Sequence, residues 1–290
     1  MFSRRAALRT SGLLPLAACG NFPQPHRGNP GSLARGLRIP LAVRLAILPP
    51  VEALMTDDAA RRYAEAMSEA LQAVDVPATA TATPLPLDWR LVITAQNSGT
   101  TVTPRYVITN ADGREQGAVT GPPVPTRAWA EATTPMLQAV AQQASPRVTQ
   151  LLLSVQAARA SAEPSAIQAG PPRLRLIPVR GAPGDGNTAL TARLREFLGN
   201  RGYVVQEPAE GAAFAVTAEV SVVPAGARLQ RVEIQWIVSR RDGYELGRVL
   251  QLNEVPAGAL SRFWGDVAYA AAEEAAGGVQ QIIRNAATPG

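Results

Sequence analysis

Lysine is absent from this chain. A Walker-type phosphate loop, a Schiff base and a Ser-Lys dyad all depend on that amine, so these three chemistries are excluded. Histidine and cysteine each occur once, as His26 and Cys19. A Ser-His-Asp triad, a His-bearing zinc site or a His-ligated haem would have to be built around His26, which lies in a stretch rich in proline and glycine just after Cys19. An enzyme made from this sequence would have to rely on carboxylates, hydroxyls, arginines and tyrosines. Long apolar runs are missing too: the apolar run ahead of Cys19 falls well short of the about 20 residues that cross a bilayer as a helix, and no later stretch is both apolar and that long. Excess charge is also small. The formal charge is +5, but Arg4, Arg5 and Arg9 precede Cys19, and without them 25 basic residues face 23 acidic ones. These charges are spread along the chain with no basic stripe, so no nucleic-acid partner is expected. The high pI of about 10.1 follows from every remaining basic side chain being arginine, which stays charged up to about pH 12.

What is present begins with an address. A charged start is followed by a short apolar run through Leu13 and Leu14, and then by Leu16-Ala17-Ala18-Cys19. This is the three-part pattern of a secretory signal, and it resembles the lipobox of bacterial lipoproteins. The resemblance implies cleavage before Cys19 and acylation of that cysteine, palmitate included, with Leu16, Ala17 and Ala18 as recognition residues. Ser3-Arg4-Arg5-Ala6-Ala7-Leu8 is similar to the twin-arginine export motif, with Ala7 where phenylalanine is usual; an ordinary Sec signal fits the same residues. Gly20 after the cysteine implies the outer membrane. Residues 1–18 are thus expected to be a signal peptide and 19–40 a lipidated cysteine with a Pro/Gly-rich tether.

Beyond the tether the chain repeats itself at an offset of about 130 residues. Leu45-Ala46-Ile47-Leu48-Pro49 matches Leu174-Arg175-Leu176-Ile177-Pro178, Asp112-Gly113 matches Asp242-Gly243, Glu115 and Gly117 match Glu245 and Gly247, and Val124-Pro125 matches Val255-Pro256. Each copy opens with an apolar strand that runs into proline. A helix follows, capped by Thr56 or Asp57 in the first copy and by Asn187 or Thr188 in the second. Its apolar positions are Tyr63, Met67, Leu71 and Val74, or Leu190, Leu194, Phe197 and Leu198. The period then changes to two, as in antiparallel strands with one buried face. Asp-Gly marks a hairpin leading to a strand that ends near Val119 or Val249. A long helix closes each copy; in the second, Leu260, Phe263, Trp264, Val267, Ala271, Val279, Ile282 and Ile283 form its apolar stripe. The expected fold class is α+β: two tandem two-layer sandwiches, each a mostly antiparallel sheet with two helices on one face. The modules are placed at 41–160 and 173–286, joined by a linker at 161–172.

Three features invite a chemical reading. Gly181 to Thr188 links a strand to a helix, where backbone amides can gather around an anion, but its spacing matches no phosphate loop and a simple connection ending in an N-cap is expected. Glu115 and Glu245 recur at equivalent positions, yet glycosidic chemistry needs two carboxyls across one cleft and these belong to different modules. Trp89, Tyr106, Trp129, Trp236 and Trp264 fall on apolar faces and are expected in the core. Binding is expected through the sheet edges or through the face the helices leave uncovered, the candidate surface being the polar face of the second module, where Arg231, Glu233 and Gln235 alternate with apolar residues and Thr217, Glu219 and Ser221 lie alongside.

In its order of strand, proline, capped helix, alternating strands, hairpin and closing helix, each module resembles the small α+β domain shared by the envelope lipoproteins LpoB and CsgG and the amino-terminal domain of TolB. That resemblance implies a periplasm-facing adaptor or assembly factor. The expectation is a non-catalytic lipoprotein of the outer membrane, held by its lipid, with an envelope protein or polymer as partner and no cofactor or metal. A carboxylate-dependent envelope hydrolase is the alternative.

Overall fold

The computed structural model describes residues 43–162 and 171–287, all within one compact unit, Ile39–Gly290. Its elements run β1 (Leu45–Ile47), α1 (Asp57–Gln72), β2 (Ala78–Ala80), β3 (Trp89–Asn97), β4 (Thr101–Thr109), β5 (Glu115–Thr120), β6 (Val124–Pro125), α2 (Thr126–Glu131) and α3 (Thr134–Ala162). They continue with β7 (Arg173–Leu176), α4 (Gly186–Asn200), β8 (Val204–Gln206), β9 (Phe214–Pro224), β10 (Leu229–Arg240), β11 (Glu245–Pro256) and α5 (Gly265–Ala287). Two separate sheets form, in the orders β2-β1-β3-β4-β5 and β8-β7-β9-β10-β11, with β6 a short addition to β4. In each, the first strand lies parallel to both neighbours and the remaining three form an antiparallel meander. The two halves therefore share one topology. Tyr106 pairs with Val119 in the first and Trp236 with Val249 in the second, so the two aromatics hold the same place.

Helices cover one face of each sheet because the apolar positions of both periodicities converge there. In the first half Tyr63, Met67 and Leu71 of α1 and Leu137, Ala141, Ala144, Val148 and Leu152 of α3 pack on Leu91, Ile93, Tyr106 and Ile108. In the second, Leu190, Leu194 and Leu198 of α4 and Ala272, Ala276 and Val279 of α5 pack on Val216, Ile234, Trp236 and Val238. The aromatics assigned to the core are buried, Trp89 included, and the polar atoms of the innermost find partners as burial requires. Trp129 donates to the Ala53 carbonyl at 2.8 Å, and Trp236 to Gln251 Oε1 at 2.9 Å. Thr56 caps α1, its hydroxyl accepting the Ala59 N–H at 3.3 Å. Pro146 sits inside α3 and cannot donate to the Gln142 carbonyl; the Ser145 hydroxyl does so instead, at 3.2 Å.

Several expected boundaries move. Helix α1 ends at Gln72, leaving Val74 beyond it and exposed. The first closing helix is two, α2 and α3, separated where Ala132 turns left-handed at φ 44°. Helix α4 starts at Gly186, before both expected caps, with Asp185 as its N-cap. Phe263 and Val267 leave the apolar stripe: Phe263 precedes α5 and is 75% exposed, and Val267 is also exposed. Strand β11 passes Val249 and continues to Pro256. In the first half the equivalent path breaks after Thr120 at Gly121-Pro122-Pro123 and resumes as β6, because two successive prolines have no N–H for the ladder.

The halves meet through equivalent parts. The Asp112 carboxylate, at the β4–β5 hairpin, accepts the N–H groups of Ala209 (2.8 Å) and Glu210 (3.2 Å) and lies 3.6 Å from Arg175 of β7. Reciprocally, Gly243 in the β10–β11 hairpin packs on Arg44, just before β1. Leu87 and Ala111 of one half share a small apolar cluster with Ala209, Ala212 and Ala215 of the other. Leu87 and Ala212 each sit two residues before their strand, β3 or β9. The contact has the character of an isologous interface, in which the same patch is used twice.

Candidate functional site

Cys19, Arg4, Arg5, Leu16, Ala17 and Ala18 lie outside the described residues. Among those described, the second sheet presents an outer face that its helices leave open. The strand register lays it out in rows: Val223, Arg231 and Glu254; then Ser221, Glu233 and Leu252; then Glu219, Gln235 and Leu250; then Thr217, Ile237 and Arg248. Arg231, Glu233 and Gln235 thus stand in one column on β10, the first two exposed and the third half-buried. Alternation places them there, since Val232, Ile234 and Trp236 are taken by the core.

Arg231, Arg248 and Glu254 on this face pair locally. Arg231 lies 3.9 Å from Glu254. Arg248 grips Glu245 with two hydrogen bonds, at 2.6 and 2.8 Å, and these hold the Glu245 carboxyl below its ordinary range. In the first half Glu115 is paired with Arg105 at 3.3 Å. The two recurring glutamates are therefore each held by an arginine of their own sheet, and at Glu245 the arginine favours the ionised carboxylate over a general acid.

The glycine-rich loop is a packing device. Asp185 accepts the Trp264 N–H at 2.9 Å, Asn187 accepts the Ala182 N–H at 3.0 Å, and the Trp264 indole donates to the Pro183 carbonyl at 2.9 Å. Gly184, at φ 59°, lies against the Arg262 backbone, and Gly186 lies against the Trp264 ring. These glycines let the residues ahead of α5 seat on the start of α4. An open cavity of about 430 Å³ beside the loop is lined by Gly181, Ala182, Pro183, Asn187, Val222, Gln230 and Ser261, with no charged side chain to fix an anion.

Missing from the sequence reading were Arg248, Leu250, Leu252 and Glu254. Leu250 and Leu252 are 59% and 58% exposed on the edge strand of the sheet. The signal was present as a second alternation, in which Val249, Gln251 and Val255 face inward and the leucines between them face out.

No known protein family matches the chain, and no curated protein matches it. Solved structures with some likeness include a single-substitution variant of the PelC dodecamer from Paraburkholderia phytofirmans, at 11% identity and a TM-score of 0.30 over 38% of this chain and 88% of that one. Lipoprotein GNA1162 from Neisseria meningitidis matches at 11% identity and 0.27, over 38% of this chain and 99% of that one. A minor lipoprotein from Acinetobacter baumannii matches at 14% identity and 0.22, over 39% and 89%. Two of the three are described as lipoproteins.

Proposed function

We propose that this protein is a lipid-anchored lipoprotein of the bacterial outer membrane, facing the periplasm, that binds an envelope protein or polymer without catalysing a reaction on it. The observation that carries the reading is Leu16-Ala17-Ala18-Cys19, placed after a charged start and a short apolar run and bearing the sole cysteine of the chain. Acyl chains on one cysteine anchor stably when there is more than one of them, and Gly20 fits delivery to the outer membrane. The order of elements in each half resembles that of the LpoB, CsgG and TolB domain, and the adaptor or assembly role that this resemblance implies belongs to the proposal. A duplicated module on a tether raises the effective concentration of weak sites against a partner held in the same envelope, a gain of little use toward a freely diffusing substrate.

Fractionation tests the anchor. Cys19→Ser is expected to move the protein from washed membranes to the soluble fraction with its melting temperature unchanged. A variant that still pellets and resists high salt would place the attachment elsewhere. Crosslinking in the intact envelope followed by capture tests the partner, and turnover of a glycan or peptidoglycan strand by the pure protein would favour the hydrolase reading.

A further inference from the structure

The open edge of the second sheet is self-complementary. Ala257 donates its N–H to the Arg228 carbonyl at 2.9 Å, and the register continues unbroken from Leu229 opposite Pro256 to Val238 opposite Gly247. Antiparallel ladders alternate, so the odd-numbered residues of β11 from Val249 to Val255 turn their backbone groups toward β10. Arg248, Leu250, Leu252 and Glu254 therefore direct both N–H and C=O to the free edge. The same four side chains stand on the outer face, and all four are exposed.

We propose that β11 pairs antiparallel with β11 of a second copy, about a two-fold axis through Gln251, joining the two sheets edge to edge. Backbone phase demands that even-numbered residues meet even-numbered ones. Centred on Leu250, the pairing sets Arg248 opposite leucine; centred on Leu252, it sets Glu254 opposite leucine. Centred on Gln251, it sets Arg248 opposite Glu254 and Leu250 opposite Leu252, so charge meets opposite charge and apolar meets apolar on one face. The present partners of the two charges, Glu245 and Arg231, are exposed pairs that cost little to share. Sheet architecture does not require these leucines: the matching positions of the first half hold Thr120 and Pro122. A single strand edge is small against the about 1,600 Å² of a standard interface, so the association is weak and reversible.

Arg248 and Glu254 stand six residues apart on one strand, about 20 Å, too far to pair within a copy. Sedimentation equilibrium of the full chain in neutral detergent is therefore decisive. A monomer–dimer equilibrium is expected, weakened at least about tenfold by Arg248→Glu and equally by Glu254→Arg, since each sets like charges opposite each other. The double variant Arg248→Glu/Glu254→Arg restores the wild-type constant to within about threefold, as only a pairing between copies allows. A chain that stays monomeric at every concentration, a dimer indifferent to either reversal, or a double variant no better than the singles would each overturn the proposal. Leu252→Lys, a second and independent variant at an exposed position, must also abolish the dimer.

Discussion

At the scale of single residues, the two halves solve one problem in two ways. A large aromatic fills the centre of each sheet and brings a polar atom with it. In the first half the Tyr106 hydroxyl meets the Tyr63 hydroxyl at 2.6 Å; in the second, Trp236 donates to Gln251, whose amide donates in turn to the Ala271 carbonyl (3.0 Å) and to Glu274 (2.8 Å). The tyrosine pair is sensitive to alkali. Burial pushes the Tyr106 phenol up to about 12, opposed by its hydrogen bond with Tyr63 and by the Arg147 charge. Burial also raises Tyr63, helped by the charge and hydrogen bond of Tyr106. The unfolded chain releases these protons near pH 10 while the folded chain retains them. Their contribution to stability is therefore complete below about pH 10 and declines as pH rises toward about 12. Urea midpoints measured across that range are expected to fall, and Tyr63→Phe/Tyr106→Phe to remove most of the fall. Tyr203, also raised by burial, accounts for a remainder. A chain without lysine gives this measurement a clear window.

At the scale of elements, glycine placement separates packing from chance. A Cβ at Gly186 would strike the Trp264 ring and come within 2.7 Å of the Ala182 Cβ, whereas one at Gly199, in the same helix, meets nothing within 4 Å. Gly186→Ala is expected to cost about 1–3 kcal/mol through overpacking, and Gly199→Ala to add up to about 1 kcal/mol through helix propensity; thermal melts of both check the contrast. Elements governed by nearest neighbours were legible in the sequence: the cap at Thr56, the alternation along β9 and β10, and the Asp-Gly hairpins. Elements governed by distant contacts were not. The start of α4 is drawn back to Gly186 because Asp185 is engaged by Trp264, far along the chain, and β11 runs on to Pro256 because β10 is long enough to pair with it. Of the candidate surface, the column Arg231, Glu233 and Gln235 was readable from its period of two. The leucines beside it were not, because an apolar residue in a strand is assigned by default to the core.

At the scale of the whole molecule, the contact between the halves joins the Asp112 bonds to an ion pair of Arg159 with Glu210 and to the Arg175 bond with the Pro86 carbonyl, and its two sides have diverged. Asp112 reaches across to the other half, while its counterpart Asp242 turns inward, bound by Arg240 and by the Tyr244 N–H at 3.1 Å. Removing the Asp112 carboxylate strips two N–H groups of their acceptor and takes the opposite charge away from Arg175, which still donates to the Pro86 carbonyl, a loss of about 2 kcal/mol for charge-assisted bonds. Asp112→Ala is expected to lower the melting temperature by roughly 5 °C and to separate the unfolding of the halves in calorimetry, whereas Asp242→Ala leaves a single transition. The Gly121-Pro122-Pro123 break takes on its meaning at this scale. A molecule with two receptive sheet edges could be joined at both, and such chains grow without limit. With one edge interrupted by prolines, and with β2 and β8 only three residues long, the valence of the duplicated chain is one. Union through β11 exhausts it, so assembly stops at a pair.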